Sequence, residues 1–236
     1  MNLIIDIGNT RVKAGLFLNK TMVDHWLGIE LDQLIDFLKD KPIKKTIICS
    51  VNNRFEHIIE YIRNRYTTHF FSHTSPLPIT NKYATPTTLG VDRLAAVVGA
   101  FQSYPEQHNL VIDLGTCITY DFITCNGDYL GGGISPGMLL RLRAMHEFTN
   151  ALPQVTLTEK PSFIGDSTKS CMQSGVYYGI KHEIEGNIRE YREKFGQINV
   201  IFCGGDANFF ESSLKATIFV NQYLTLIGLN KILEGI

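Results

Sequence analysis

The feature that most constrains this chain is a strand signature that occurs twice. Leu3-Ile4-Ile5-Asp6-Ile7-Gly8-Asn9-Thr10 is an apolar run that ends in an aspartate and a glycine turn. Leu110-Val111-Ile112-Asp113-Leu114-Gly115-Thr116 repeats it 107 positions later, with Leu, Ile, Asp and Gly in matching places. An unbroken apolar run of strand length, stopped by a turn, is the pattern of a strand buried on both faces. A second strand follows each copy: Val12 to Leu18 in the first, and Ile118 to Ile123 in the second, where Asn126-Gly127 supplies a hairpin turn. Repetition at about half the chain reads as an internal duplication. The alternative is that two unrelated strands both end in Asp-x-Gly.

The rest of the pattern supports two α/β lobes. Met22 to Leu27 and Lys45 to Val51 read as strands, and apolar residues at 31, 34, 35 and 38 have helical spacing, as do those from Phe55 to Tyr66 and from Val91 to Phe101. Pro76, Pro78 and Pro86 mark a loop region. In the second half the pattern predicts a helix from Met138 to Phe148, a long helix from Ser167 to Phe195 with capping chemistry at Asp166-Ser167-Thr168, a strand at Val200 to Phe202, a short helix after Gly204-Gly205-Asp206, and a last helix from Asn221 to Leu233. Strands followed by helices, twice over, predict an α/β chain of two similar lobes in tandem with a cleft between them. The expected boundary lies between Tyr104 and His108, giving lobes 1–106 and 107–236. No linker rich in Gly and Ser lies there, so a tight, hinged cleft is expected.

Composition narrows the function. Of 236 residues, 44% are hydrophobic and 19% charged, which excludes disorder as a general description and gives enough apolar surface for a core. The net charge of −1 supplies no bulk positive field, so neither nucleic acid nor an anionic membrane is an expected partner. No signal peptide and no membrane-length apolar run is present, and the expected location is the cytoplasm. The five cysteines (Cys49, Cys117, Cys125, Cys171, Cys203) form no C-x-x-C pair and read as reduced thiols, several of them buried. His57, His69, His73, His108, His146 and His182 show no metal-ligand spacing.

The repeated turns suit phosphate chemistry. A glycine beside a strand-ending aspartate lets a phosphate approach backbone N–H groups closely. Thr10 and Thr116 can donate to phosphate oxygens, Lys13 can reach one, and Asp6 and Asp113 are hard oxygen donors suited to Mg²⁺ or a monovalent cation. Two such turns facing each other across a cleft would grip a triphosphate from both sides. The chain has no G-x-x-x-x-G-K-[ST], which removes a P-loop, and no G-x-G-x-x-G between strand and helix, which argues against a dinucleotide fold.

Five motifs together resemble a known family. Asp6-Ile7-Gly8-Asn9-Thr10-Arg11-Val12-Lys13 looks like the first phosphate motif of type III pantothenate kinases, and Gly90-Val91-Asp92-Arg93 resembles their G-x-D-R motif. Asp113 to Asp121 resembles the second phosphate motif, and Gly132-Gly133-Ile134-Ser135-Pro136-Gly137 and Gly204-Gly205-Asp206-Ala207 also fit, in the family's order. The resemblance implies ribonuclease-H-like lobes of the actin-like ATPase superfamily. It implies ATP-dependent phosphorylation of pantothenate to 4'-phosphopantothenate, the first step of coenzyme A biosynthesis. It also implies Mg²⁺, a monovalent cation (K⁺ or NH₄⁺) and a homodimer with pantothenate bound near the subunit interface. Carried over by residue, Asp6, Ile7, Gly8, Asn9, Thr10, Arg11, Val12, Lys13 and Thr116 bind ATP, and Asp113 holds the monovalent cation, with Asp6 a candidate for Mg²⁺. Tyr83, Gly90, Val91, Asp92, Arg93 and Thr168 bind pantothenate, with Asp92 as catalytic base. Cys117 and Cys203 stand where the family usually has Ala and Thr, which points to sensitivity to thiol reagents.

Local readings compete with these roles. Asp92 alone reads as an ordinary carboxylate at a helix start, Arg93 as a surface ion pair, Tyr83 as a loop anchor and Thr168 as a helix-start residue. Glu183, Glu185, Arg189, Glu190, Arg192, Glu193 and Lys194 read as a solvated helix face. Two other functions stay open: a kinase of the same superfold acting on a sugar or a carboxylate, and a non-catalytic regulator such as the Bvg accessory factors. The G-x-D-R motif disfavours the first, and the intact Asp6, Asp92 and Asp113 disfavour the second.

Overall fold

The structure, a computed structural model, describes residues 1–51, 55–214 and 216–236. The chain divides into two compact units, one of residues 1–106, 123–130 and 223–236, the other of residues 107–122 and 131–222.

Unit 1 is built on strands β1 (Asn2–Ile7), β2 (Val12–Leu18), β3 (Thr21–Gly28), β4 (Lys45–Ser50) and β5 (Thr68–Phe70), in the order β3-β2-β1-β4-β5. The first three strands form an antiparallel meander, whereas β4 and β5 join in parallel. Parallel neighbours need a crossover, and helices α1 (Leu31–Leu38) and α2 (Glu56–Arg65) provide it. β1 is central and buried from Leu3 to Ile7, as its unbroken apolar run requires. Leu34 and Leu38 of α1 and Ile58, Ile59 and Ile62 of α2 pack with Leu3, Ile5 and Ile48 in one core. Each such side chain, fully buried, stabilises the fold by about 1.5–3 kcal/mol.

Unit 1 also holds β6 (Thr80–Asn81), α3 (Val91–Ser103) and the final helix of the chain. The sequence places that helix with the second lobe. Its contacts explain the difference: a Cβ on Gly228 would lie 1.9 Å from the Ala95 carbonyl oxygen, and one on Gly99 would lie 2.0 Å from that of Leu224. Two glycines thus let the helix and α3 meet backbone to backbone. Gly127, at the hairpin turn read from the sequence, has φ of +81° and rests against the Phe101 ring.

Unit 2 repeats the topology. Strands β7 (His108–Leu114), β8 (Cys117–Ile123), β9 (Asp128–Pro136), β10 (Ile198–Cys203) and β11 (Phe219–Val220) lie in the order β11-β10-β7-β8-β9, the order of unit 1 read from its other edge. Again the fourth strand joins the first in parallel, and the fifth joins the fourth. The registers correspond as well: Cys49 on β4 pairs with Asp6, and Cys203 on β10 pairs with Asp113. The duplication seen as two strand signatures therefore extends to their neighbours. Helices α4 (Met138–Glu147), α5 (Thr168–Phe195) and α6 (Ala207–Glu211) complete the unit, and α7 (Leu224–Glu234) is the final helix described above. Ser167 caps α5, accepting from the Ser170 N–H while the Ser170 hydroxyl receives the Ser167 N–H. The short strands β5, β6 and β11 carry no alternation that a sequence pattern could reveal.

Candidate active site

In unit 1 the first phosphate motif lies where β1 gives way to β2. Asp6 and Ile7 are the buried end of β1, and the turn closes through a bond from the Gly8 N–H to the Arg11 carbonyl at 3.1 Å. Asn9, Thr10 and Arg11 are exposed at the tip. Val12 is buried, and Lys13 pairs across the ladder with Asp6. The strand register therefore brings the carboxylate and the ammonium stem to one place.

The G-x-D-R segment opens α3, with Gly90 at the cap and Asp92 in the first turn. A Cβ on Gly90 would lie 2.5 Å from Asp92 Oδ1, so glycine leaves room for that carboxylate. Asp92 Oδ1 accepts from the Arg93 N–H at 2.8 Å, and the helix dipole favours its ionised form. Burial pushes the Cys49 thiol well up, and the negative charges of Asp6 and then Asp92 push it further. Two candidate acids from segments 86 positions apart thus act on one buried thiol.

Tyr83 and Arg93 also meet. The Arg93 guanidinium carbon lies 6.0 Å from the Tyr83 ring centre, and Arg93 is buried. Tyr83 is itself held. Asn81 Oδ1 accepts its N–H at 3.0 Å, and its ring lies parallel to that of Tyr129, a fully buried residue, with centroids 6.2 Å apart. β6 pairs in parallel with Asp128 and Tyr129, which fixes the segment before Tyr83. Gly90 and Val91 are partly buried beside this group. Tyr129 was not among the residues that the sequence singles out; its supporting place depends on a strand pair of two residues.

In unit 2, Asp113 closes β7 beside the Gly-Gly-Asp turn. Gly204 has φ of +88°, and a Cβ there would lie 2.5 Å from Asp113 Oδ1 and 2.5 Å from the Leu114 carbonyl oxygen. Only glycine fits in both conformation and space. The Asp206 N–H donates to that Leu114 carbonyl at 2.9 Å, and burial raises the Asp206 carboxyl above its usual range. Thr116 is exposed on the turn that follows, and Thr168 is exposed in the first turn of α5. Oxygen donors at Asp6 and Asp113 fit hard cations. Among the described residues, no group of three or more His, Cys, Asp and Glu side chains forms a metal cage.

One expected surface element is instead part of the interior. Glu183 belongs to a half-buried network in which Tyr120 Oη donates to its Oε1 at 2.8 Å and Arg141 pairs with its Oε2. Burial pushes the Glu183 carboxyl up, but hydrogen bonds from Arg141, Ser135 and Tyr120 outweigh it and leave the group below its ordinary value. The partners stand 42 and 63 positions away, beyond the reach of helical charge patterning.

The family model for type III pantothenate kinases matches residues 2–190. A type III pantothenate kinase of Flavobacterium johnsoniae is 42% identical over 235 residues, covering 98% of this chain and 96% of the relative. Another, from Phocaeicola vulgatus, is 42% identical over 239 residues, with 99% and 98% covered. Among solved structures, a chain from Campylobacter jejuni described as a Baf family transcriptional activator superposes with a TM-score of 0.61 at 24% identity, covering 99% of this chain and 98% of that one. The activator of a 2-hydroxyisocaproyl-CoA dehydratase from Clostridium difficile, with bound ADPNP, gives 0.54 at 15% identity, covering 99% and 96%. At these identities the structural likenesses show a shared fold.

Proposed function

We infer the reaction from one premise: this chain belongs to the type III pantothenate kinase family. It transfers the γ-phosphoryl group of ATP to the primary hydroxyl of pantothenate, yielding 4'-phosphopantothenate for coenzyme A synthesis. The observation in the structure that carries this reading is that unit 1 holds both the Asp6–Lys13 strand turn and the G-x-D-R helix start, with Asp92 in the first turn of α3 and Arg93 over the Tyr83 ring.

Asp92 is the proposed base. Its place in the first turn of α3 keeps the carboxylate ionised and able to accept the hydroxyl proton. Tyr83, Gly90, Val91 and Arg93 of unit 1 are proposed to bind pantothenate, and Thr168 of unit 2 is a further proposed pantothenate-binding residue. Asp6 to Lys13 and Thr116 bind the ATP phosphates through turn N–H groups, hydroxyls and the Lys13 ammonium. Asp113 would hold a monovalent cation and Asp6 Mg²⁺, and such cations would supply positive charge to the phosphoryl oxygens. Because the transition state of phosphoryl transfer is loose, positioning and charge decide the rate more than the strength of the base.

The functional protein is proposed to be a cytoplasmic homodimer. Among the described residues no helix is long and apolar enough to cross a membrane. Unit 2 exposes the large apolar side chains of Leu139, Phe148, Phe163 and Ile164, with Phe148 84% and Ile164 79% accessible, which a second copy would cover. Sedimentation of the wild type against Phe148→Glu tests this, and a monomeric wild type overturns it.

The reaction is tested by ADP release with ATP, Mg²⁺ and K⁺, with and without pantothenate. Pantothenate-dependent turnover that falls by roughly 10²- to 10⁴-fold in Asp92→Asn supports both the reaction and the base. A folded wild type without pantothenate-dependent turnover overturns the reading.

A further inference from the structure

The network around Glu183 ends at a phosphate-motif turn. Arg141 lies on α4 and uses its guanidinium in three directions at once. Nε donates to the Pro136 carbonyl at 2.7 Å, Nη2 donates to Ser135 Oγ at 2.7 Å, and the same nitrogen pairs with Glu183 Oε2. Glu183 is fixed in turn by Tyr120. Ser135 and Pro136 lead directly into Gly137, whose N–H donates to the Thr116 carbonyl at 3.0 Å. Gly137 sits so close to that turn that a Cβ would lie 2.2 Å from the Gly115 carbonyl oxygen and 2.6 Å from that of Thr116. The turn rests on Gly137, and Arg141 fastens the two residues before Gly137 to the long helix α5.

The arrangement is rigid for a physical reason. A planar guanidinium that satisfies a carbonyl, a hydroxyl and a carboxylate together has one orientation. The ion pair is only about one quarter exposed on either side, so solvent screens it weakly. Breaking it strands a partly buried charge. The network reaches the turn through Gly137 and the backbone of Gly115 and Thr116.

We propose that Arg141, anchored by Glu183, is a positioning residue that sets the geometry of the Gly115–Thr116 turn toward the ATP phosphates. The inference rests on the kinase reading above, in which Thr116 contacts ATP. Loss of the fork lets the Ser135–Gly137 segment relax and the turn follow it, so nucleotide is held less well while the pantothenate-binding residues of unit 1 stay in place.

The test uses the full-length protein and the variants Arg141→Met, Arg141→Lys, Glu183→Gln and Ser135→Ala. The readouts are calorimetric affinity for a non-hydrolysable ATP analogue, KM for ATP and for pantothenate, and thermal midpoint. Arg141→Met is expected to weaken nucleotide affinity and raise KM for ATP by on the order of tenfold, with KM for pantothenate within about twofold. Arg141→Lys restores charge without the fork; the thermal midpoint recovers, and nucleotide affinity does not. The double variant Arg141→Met/Glu183→Gln is expected to lose little more than Arg141→Met alone, because both act through one network. Ser135→Ala, which removes one acceptor for Arg141 and one donor to Glu183 but leaves their ion pair, gives a smaller shift in the same direction and serves if the Arg141 variants fail to fold. Variants that lower the thermal midpoint but leave nucleotide affinity and KM for ATP at wild-type values overturn the proposal, as does full recovery of affinity in Arg141→Lys. A wild type that binds the analogue but does not phosphorylate pantothenate defeats the kinase reading instead, and the affinity measurements still decide the role of Arg141. A wild type that binds no nucleotide removes the proposal.

Discussion

Gly137→Ala should damage nucleotide use far more than its one added methyl suggests. Gly137 has φ of −73° and ψ of 177°, a conformation open to any residue, so the effect is purely one of space. The new Cβ would lie 2.2 Å from the Gly115 carbonyl oxygen, whereas carbon–oxygen contacts settle at about 3.3 Å or more, so the turn must retreat by about 1 Å. The three nearest atoms, the carbonyl oxygens of Gly115 and Thr116 and the carbonyl carbon of Thr116, all belong to backbone, and no side-chain rotation relieves the clash. A misplacement of about 1 Å in a phosphate-holding turn lowers kcat/KM for ATP by roughly 10- to 100-fold, and overpacking of this kind destabilises by about 1–3 kcal/mol. Gly186→Ala is the matched control: it lies within α5, and a Cβ there meets nothing within 4 Å. The same chemical change should there stabilise by about 0.5–1 kcal/mol with unchanged kinetics. Steady-state assays with ATP and pantothenate varied in turn, alongside thermal unfolding, decide the matter. Wild-type kcat/KM for ATP in a folded Gly137→Ala protein would refute the claim that this glycine supports the turn.

Three further outcomes follow from the geometry. Tyr129→Leu removes the ring beneath Tyr83, and since an aromatic pair contributes about 0.5–1.5 kcal/mol, KM for pantothenate should rise roughly two- to tenfold with KM for ATP unchanged. The Glu183 carboxyl is held below its ordinary 4.5, so its contribution to stability is complete above that pH and is lost as the pH falls through the folded value. Glu183→Gln should flatten the acid limb of thermal midpoint against pH, and an unchanged limb would show that the network carries no such linkage. A maleimide should inactivate through the partly exposed Cys117 beside Thr116 and not through the buried Cys203, so that residual activity is protected by Cys117→Ala and by bound ATP but not by Cys203→Ala.

The sequence is most legible where a pattern is local. The two apolar runs ending in aspartate are β1 and β7, helical spacing locates α1 from Leu31 to Leu38, and Ser167 caps α5 as its chemistry predicts. Tertiary arrangements are less legible. The last helix looks like a continuation of the second half until the paired glycines at positions 99 and 228 show it against α3. Glu183 carries the same local signal as its solvated neighbours on α5, and only a guanidinium arriving from α4 distinguishes it. Tyr129 reads as one more strand aromatic, because the ring it supports is 46 positions away in a loop. In each case the deciding partner is remote in sequence, and no periodicity records it.

The duplication shows how one local motif is turned to two uses. Asp6 and Asp113 end equivalent strands and face equivalent cysteines across the same parallel ladder. Their surroundings differ. Asp6 is buried, and its charge is felt with that of Asp92 at Cys49, whereas Asp113 is partly exposed beside a left-handed glycine that leaves its Oδ1 uncrowded. The first environment concentrates negative charge, which a divalent ion or the Lys13 ammonium would relieve. The second places one carboxylate oxygen near the Leu114 carbonyl, and Asp113 is the residue proposed to hold a monovalent cation. Asp113→Asn should abolish stimulation by K⁺ while leaving the Mg²⁺ dependence in place, and Asp6→Asn should do the reverse. Titration of each variant with the two cations separates the roles, and a shared loss of both responses would show that the two aspartates had not diverged.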